Sequence, residues 1–366
     1  MLHCSKKPSR DPISRGMTQA PTRPISVQSP PTGFSPAGSP PGGGARSGFT
    51  GGKLALALQG GGSFGAFTWG VLDRLLEQRG IDWDMISGAS AGAVNAVLLA
   101  DGLAEGGSPG AAGRAAARRK LAWFWEQVSR RSPSGAAVLA AATLGASLRW
   151  VSPFALDPPE LNPLRGLLEE AVDFARLRAA AAAGDGPRLL IAATRVRDGR
   201  AVLFRSPEVT LEAVLASACL PFLGQPVVID GEACWDGGFS ANPPLRALME
   251  ESDAADLLLV RLLPTEREGV PHGGHEIARR MQELTFNAPL QREEDEVEAL
   301  RQGCAGRMLF RSAPCRRLER LRLHRIAAPE AVEGLERESA LDTGWGLLQR
   351  LMLAGRAAAE EWLAEG

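Results

Sequence analysis

The feature that most constrains this chain is a short apolar run that breaks, twice, into a turn of small residues and then into a helical pattern. Lys53-Leu54-Ala55-Leu56-Ala57-Leu58 is nearly all apolar and bounded by glycines, which reads as a strand buried on both faces. A glycine loop follows. Phe67, Val71, Leu72, Leu75 and Leu76 then recur at helical spacing through Arg79, and Gly80 is placed to end the helix. The plan repeats with Asp84-Met85-Ile86 as a strand end, a turn at Ser87 to Ser90, and a helix from Ala91 to Ala100 closed by Asp101-Gly102. Strands that alternate with helices need crossover connections, so the expected architecture is a layered α/β fold with a mainly parallel sheet.

The later chain continues this alternation. Arg114 to Arg130 reads as a basic amphipathic helix carrying Trp123, Phe124 and Trp125, and a helical pattern returns from Leu164 to Ala183 before Gly184-Asp185-Gly186-Pro187. Leu189 to Ala193 and Ala201 to Phe204 read as strands joined by a turn at Asp198-Gly199. Leu211 to Ser217 is a short helix, Val227 to Ile229 and Leu257 to Val260 are strands, and helices dominate from Ile277, with a polar stretch at Arg292 to Glu298 and a long amphipathic end from Trp345 to Leu363.

Composition narrows the class. The segment 1–52 is dense in Pro, Gly, Ser and Thr, cannot bury enough surface to offset chain entropy, and is expected to be a disordered leader, with Met17 as an alternative start. No secretory signal pattern is visible, and the Ala-rich run from Gly135 to Leu148 is shorter than the ~20 residues a membrane span requires. The 5 cysteines (Cys4, Cys219, Cys234, Cys304 and Cys315) show no C-x-x-C spacing, which fits reduced thiols in a cytoplasm. A net charge of -1, from 41 basic and 42 acidic side chains, makes no electrostatic case for nucleic acid.

Three motifs carry chemistry. Gly88-Ala89-Ser90-Ala91-Gly92 stands where a strand turns into a helix, the setting that exposes a nucleophilic Ser90 on a strained elbow. Gly60-Gly61-Gly62-Ser63-Phe64-Gly65 lies between a strand and a helix, where free backbone amides make an anion cradle suited to an oxyanion. The same glycines also fit a dinucleotide fingerprint, although Asp82 and Asp84 precede the second strand rather than ending it, and no Walker lysine is present. Asp236-Gly237-Gly238 places a carboxylate before two glycines, as a base that must approach another backbone requires; a hairpin turn is the plainer reading of that Asp-Gly pair. His272, His275 or His324 formally offers the base of a Ser-His-Asp esterase, yet each sits in a setting typical of solvated or satisfied histidine, and His272 and His275 lack further ligands for a metal.

Taken together and in this order, the motifs resemble those of the patatin-like acyl hydrolases and phospholipases, with Leu58-Gln59-Gly60-Gly61-Gly62, Ala216-Ser217-Ala218-Cys219-Leu220-Pro221 and Trp235-Asp236-Gly237-Gly238 as supporting matches over Lys53 to Leu263. The resemblance implies a three-layer sandwich with a mainly parallel central sheet flanked by helices, a catalytic domain over 53–263 with a cap near 131–163, and a mostly helical extension over 264–366 packed on the same domain. It implies a Ser90-Asp236 dyad with the amides of Gly60, Gly61 and Gly62 as the oxyanion hole, and no metal or organic cofactor. Many members carry a basic residue just before the last glycine of the loop, where this chain has Ser63 and Phe64. That departure argues against a preference for anionic headgroups.

The expected substrate is a lipid or another hydrophobic ester, thioesters included, in a cytoplasmic protein that touches a membrane surface transiently. Trp123, Trp125, Trp150 and Phe154, with Arg118, Arg119, Lys120, Arg130 and Arg131, are the residues that would form such a surface; a helix packed by its aromatic stripe is the competing reading.

Overall fold

The computed structural model describes Phe49, residues 51–105, 110–131, 162–221, 223–267, 269–305, 318, 320–332, 334–335 and 338–365. All lie in one compact unit, Arg46–Gly366. The expected cap near 131–163, with Trp150 and Phe154, falls outside the described residues, as do Cys4, Cys315 and the leader apart from Phe49, Gly51 and Gly52. Phe49 is itself buried and stacks on Trp362 at 5.4 Å between ring centroids, so this one residue of the expected leader belongs to the core.

Five strands run parallel: β1 (Gly52–Leu58), β2 (Ile81–Ala89), β3 (Arg188–Arg195), β7 (Asp256–Arg261) and β8 (Arg322–Ala327). Three antiparallel strands complete the sheet beside β3: β4 (Ala201–Arg205), β5 (Val227–Ile229) and β6 (Glu232–Asp236). The order is β5-β6-β3-β2-β1-β7-β8, with β4 on β3. The β5–β6 hairpin turns at Asp230-Gly231, both at positive φ (52° and 80°), so the hairpin lies here and Asp236-Gly237 is not a hairpin turn.

Helices cover both faces, and strand alternation explains which. Leu54, Leu56, Leu58, Ile86, Leu258 and Val260 face one core, shared with α1 (Gly65–Leu75), α2 (Ala91–Glu105), α3 (Ala111–Arg131), α4 (Pro163–Ala171), α5 (Phe174–Ala183), α6 (Leu211–Ser217) and the helix that ends the chain. Ala55, Ala57, Met85, Leu257 and Leu259 face the other, under α7 (Leu245–Glu251) and α8 (Gly274–Ala305). A single turn, α9 (Ala328–Ala331), precedes the terminal α10 (Trp345–Ala364), whose Leu347, Leu348, Leu351 and Trp362 are buried. The fold is a mainly parallel sheet between two helical layers, and residues 264–366 supply its edge strand and two of its longest helices.

Several boundaries differ from the sequence reading. Helix α2 runs through Asp101 and Gly102: Asp101 is buried and paired with Lys120 (2.9 Å) and Arg176 (2.8 Å), and a side chain at Gly102 would overlap the backbone of Ala117 on α3. The helix expected over 164–183 is two, because Val172 is extended and Asp173 caps the second by accepting from the amides of Ala175 and Arg176, both at 3.0 Å. Asp82 and Asp84 lie inside β2, not before it.

Candidate active site

Leu58 and Gly88 are partners in the β1–β2 ladder, so the glycine loop and the serine elbow leave the carboxyl-terminal edge of the sheet side by side. They touch: a Cβ on Gly60 would lie 2.7 Å from the Ala89 carbonyl oxygen and 2.7 Å from Ser90 Cβ. Ser90 takes φ 53°, in the left-handed region that a non-glycine residue enters only when its surroundings impose it. Those surroundings are identifiable. The Ser90 amide donates to the carbonyl of Ser217 (3.1 Å) and to its hydroxyl (3.0 Å), and a side chain at Gly92 would overlap the carbonyl of Leu58. Gly88 packs directly on the backbone of Gly92, and Gly65 lies against Ala91 and the ring of Trp125. The result is a turn that leaves Ser90 8% exposed at the head of α2.

Asp236 arrives by a different route. Ala193 and Thr194 of β3 pair with β4 on one edge and with β6 on the other, the edge that β2 occupies up to Ala192. Where β2 stops and turns at Ser90, β6 takes over its place from the opposite direction, and its last residue, Asp236, ends opposite Ala193. The position is held on every side. The Asp236 amide donates to the Cys219 carbonyl (2.8 Å), its carbonyl accepts from the Thr194 hydroxyl (2.7 Å), and Oδ1 accepts from the Gly238 amide (2.7 Å). Gly237 is pressed on the Ala192 carbonyl and Gly238 on the Phe286 ring, which leaves no room for a side chain at either.

The remaining carboxylate oxygen, Oδ2, has no partner of full hydrogen-bonding geometry among the described residues, and the Ser90 hydroxyl is the side-chain donor that acts on the carboxyl. Complete burial pushes the Asp236 carboxyl up to about 7, partly offset by the hydrogen bonds from Ser90 and Gly238.

The glycine loop is held differently from the sequence reading. The Gly60 amide donates to Asn242 Oδ1 at 2.7 Å and so is already occupied, whereas the amides of Gly61 and Gly62 have no hydrogen-bond partner among the described residues. Asn242, fully buried, also donates to the Phe286 carbonyl (3.0 Å) and ties the loop to α8. Gln59 accepts from the amides of Leu262 (2.7 Å) and Leu263 (3.1 Å) and donates to Asn287 (2.9 Å). Ser63 donates its amide to the Ala340 carbonyl (2.8 Å), and Gly62, at φ 58°, lies under that carbonyl. Asn95 links the head of α2 to Gly65 (3.0 Å) and accepts from Trp125 (3.1 Å). Sequence reasoning missed Asn242, Thr194 and Asn95; for Thr194 and Asn95 the available signal was an uncharged hydroxyl or amide inside an otherwise apolar run, a pattern that marks buried polar groups in need of partners, and Asn242, in a bend before two prolines, carried no such signal.

The other sequence candidates lie elsewhere. His324 binds Asp256 Oδ1 at 2.8 Å on a strand three places from β2, with its ring edge-on to Trp362. His272 is exposed, and its amide donates to Glu276 at 3.1 Å; the His275 side chain lies outside the described residues. Asp84 accepts from Ser252 (2.6 Å) and Asp253 (2.7 Å) at the amino-terminal end of the sheet, too far along β2 to meet a ribose beside the glycine loop. Among the described residues no group of three His, Cys, Asp or Glu is arranged to hold a metal, and no helix is long and apolar enough to cross a membrane.

Among solved structures the chain is similar to VipD from Legionella pneumophila (14% identity, 85% of this chain and 66% of that chain covered, TM-score 0.34). It is also similar to the ExoU-SpcU complex from the type III secretion system of Pseudomonas aeruginosa (16% identity, 85% and 52% covered, TM-score 0.34). The chain spans less than two thirds of the length of either. No curated protein matches it in sequence. A family model described as patatin-like phospholipase matches residues 56–249, more than half of the chain. Since that match runs from β1 into α7 and takes in the glycine loop, the turn at Ser90 and Asp236, the chain belongs to the patatin-like phospholipase family.

Proposed function

We propose that this protein is a serine acyl hydrolase that cleaves lipid acyl esters through Ser90 and Asp236, with the amides of Gly61 and Gly62 receiving the oxyanion. The observation that carries the reading is geometric: a strained, nearly buried serine stands where β2 leaves β3, and a fully buried carboxyl with one oxygen unpartnered among the described residues arrives on the same edge of β3 through β6; burial pushes that carboxyl up to about 7. A serine hydroxyl needs a base, and an ordinary carboxylate near pKa ~3.9 is a poor one. A carboxyl near 7 is half ionised at neutral pH and holds the accepted proton well enough to return it.

In the first half-reaction Ser90 Oγ attacks the ester carbonyl carbon while its proton passes to Asp236 Oδ2. The carbonyl electron pair becomes the oxyanion of the tetrahedral intermediate, within reach of the loop amides. Collapse breaks the bond to the alcohol, which leaves with the proton from Asp236, and the acyl group stays on Ser90. In the second, Asp236 takes a proton from water, the resulting hydroxide equivalent attacks the acyl-enzyme, and the acid is released with Ser90 reprotonated.

A fluorophosphonate probe tests this directly. The wild-type protein is expected to label on Ser90 and to hydrolyse a soluble p-nitrophenyl ester, and Ser90→Ala to lose both, with activity falling at least ~1,000-fold. Labelling that persists in Ser90→Ala overturns the assignment.

A further inference from the structure

Beyond the site, α8 is the helix whose surface pattern is inverted. A helix at a protein surface ordinarily turns its apolar stripe inward and its charges to solvent. From Phe286 onward α8 mostly does so: Phe286, Leu290 and Val297 are buried, and Leu300 alone of the described large apolar side chains is exposed. Before Phe286 it does the opposite. Glu283 is 6% exposed and faces the protein, where it binds Arg267 (2.8 Å) and Arg280 (3.3 Å). Ile277, Met281 and Leu284, which share one face at i, i+4 and i+7, are 42%, 64% and 52% exposed. Val270, in the loop that leads into the helix, is also exposed.

The direction of α8 says where this ridge stands. Arg301, near its end, donates to the Leu321 carbonyl just before β8 begins (2.8 Å), and Glu294 binds Arg261 at the end of β7. Asn287 meets Gln59, and Phe286 meets Asn242 and Gly238, at the carboxyl-terminal edge beside Ser90. The helix therefore descends the sheet from the site, and its first turns, with a ridge about 10 Å long from Ile277 to Leu284, stand beyond the edge that carries Ser90. The charges on these turns are engaged within the segment: Glu283 binds Arg267 and Arg280, and the exposed Glu276 accepts from the amides of His272 (3.1 Å) and Gly273 (3.3 Å) with Arg279 beside it. Such a face complements a surface that is apolar and without net charge.

We propose that the Ile277-Met281-Leu284 ridge docks the protein on a zwitterionic phospholipid surface and so brings the Ser90 edge to the layer that holds the ester. This rests on the reading of the site as a lipid acyl hydrolase. Helix α3, the sequence candidate for such contact, uses its aromatic stripe internally: Trp125 is 3% exposed, and Arg118, Lys120, Arg130 and Arg131 are paired with Asp73 (2.7 Å), Asp101 (2.9 Å), Glu126 (2.7 Å) and Glu170 (2.6 Å).

The experiment is co-sedimentation of the full chain with phosphatidylcholine vesicles, run for wild type, the triple variant Ile277→Ser/Met281→Ser/Leu284→Ser, Leu300→Ser at the far end of the same helix, and Ser90→Ala. Removing three inserted side chains is expected to weaken partition about tenfold or more, while Leu300→Ser and Ser90→Ala partition as wild type and all four proteins keep the wild-type circular dichroism and sedimentation coefficient. Wild type that stays in the supernatant, a triple variant that partitions unchanged, or binding abolished by salt overturns the proposal. So does a wild-type dimer that the triple variant splits, since the ridge would then be covered by a second copy. Hydrolysis of a soluble ester, assayed in parallel, fails only if the reading of the site is wrong, and so separates the two.

Discussion

At Asp236 the burial that makes the carboxyl useful also costs the fold stability. Its folded pKa, about 7, lies above the ordinary carboxylate value of 3.8, so between those pH values the folded chain keeps a proton that the unfolded chain has released. Stability is therefore highest in acid, falls as pH rises from about 4 to about 7, and then levels off. Asp236→Asn removes the ionisation and keeps an acceptor for the Gly238 amide, so it is expected to raise Tm at pH 8 more than at pH 5, with a gain approaching about 4 kcal/mol at the higher pH. Calorimetry at the two pH values checks this, and an equal effect at both refutes it. Catalysis has the opposite sign. In the proposed mechanism only the ionised form accepts the Ser90 proton, so kcat/KM should climb through pH about 7 on one ascending limb, and Asp236→Asn should abolish it.

Among the elements, the elbow and the glycine loop are shaped mostly by groups outside themselves. Asn242 occupies the Gly60 amide and fixes the loop against α8, so Asn242→Leu should release the loop and lower kcat about a hundredfold, the effect expected of a misplacement near 1 Å. Steady-state kinetics with KM held distinguishes this from lost substrate binding. Ser217→Ala leaves one of two acceptors on the Ser90 amide and should cost only about 1 kcal/mol, read as a small shift in the urea midpoint. At this scale the motif glycines were legible because small residues at a strand-to-helix turn have few other uses. The continuation through Gly102 was not, since it depends on Ala117 of α3 packing alongside, whereas the break at Asp173 rests on a local cap that the continuous helical pattern of 164–183 masked.

For the whole molecule, the last hundred residues are built into the core beneath the site and tie down its glycine loop. Helix α10 lies so close to α1 that side chains at Gly70 and Gly355 would overlap the partner helix's carbonyls, and Leu347, Leu348, Leu351 and Trp362 enter the main core. At about 2 kcal/mol each, those four approach the entire stability of an ordinary domain. Deleting residues 345–366 should leave a chain without a cooperative thermal transition; a truncated protein that melts cooperatively would show the catalytic half to be self-sufficient. His324 serves this packing through Asp256 and Trp362, so His324→Gln should lower Tm and leave soluble-ester kcat unchanged, the reverse of what a Ser-His-Asp triad requires.

By itself the sequence determined the alternation of strands and helices, the two turns that begin with Gly60 and Gly88, and the identity of a serine and an aspartate with the right neighbours. These are local properties: apolar periodicity, small residues where backbones meet, a carboxylate followed by glycines. Only the tertiary structure decided that β6 continues the edge that β2 vacates, which brings Asp236 opposite Ala193 from 146 positions beyond Ser90. It also decided that Asn242 takes the Gly60 amide, and that Arg322–Ala327 joins the same sheet as β8. Each depends on contacts between segments far apart in the chain, whose strength comes from burial and hydrogen bonding that no single segment contains.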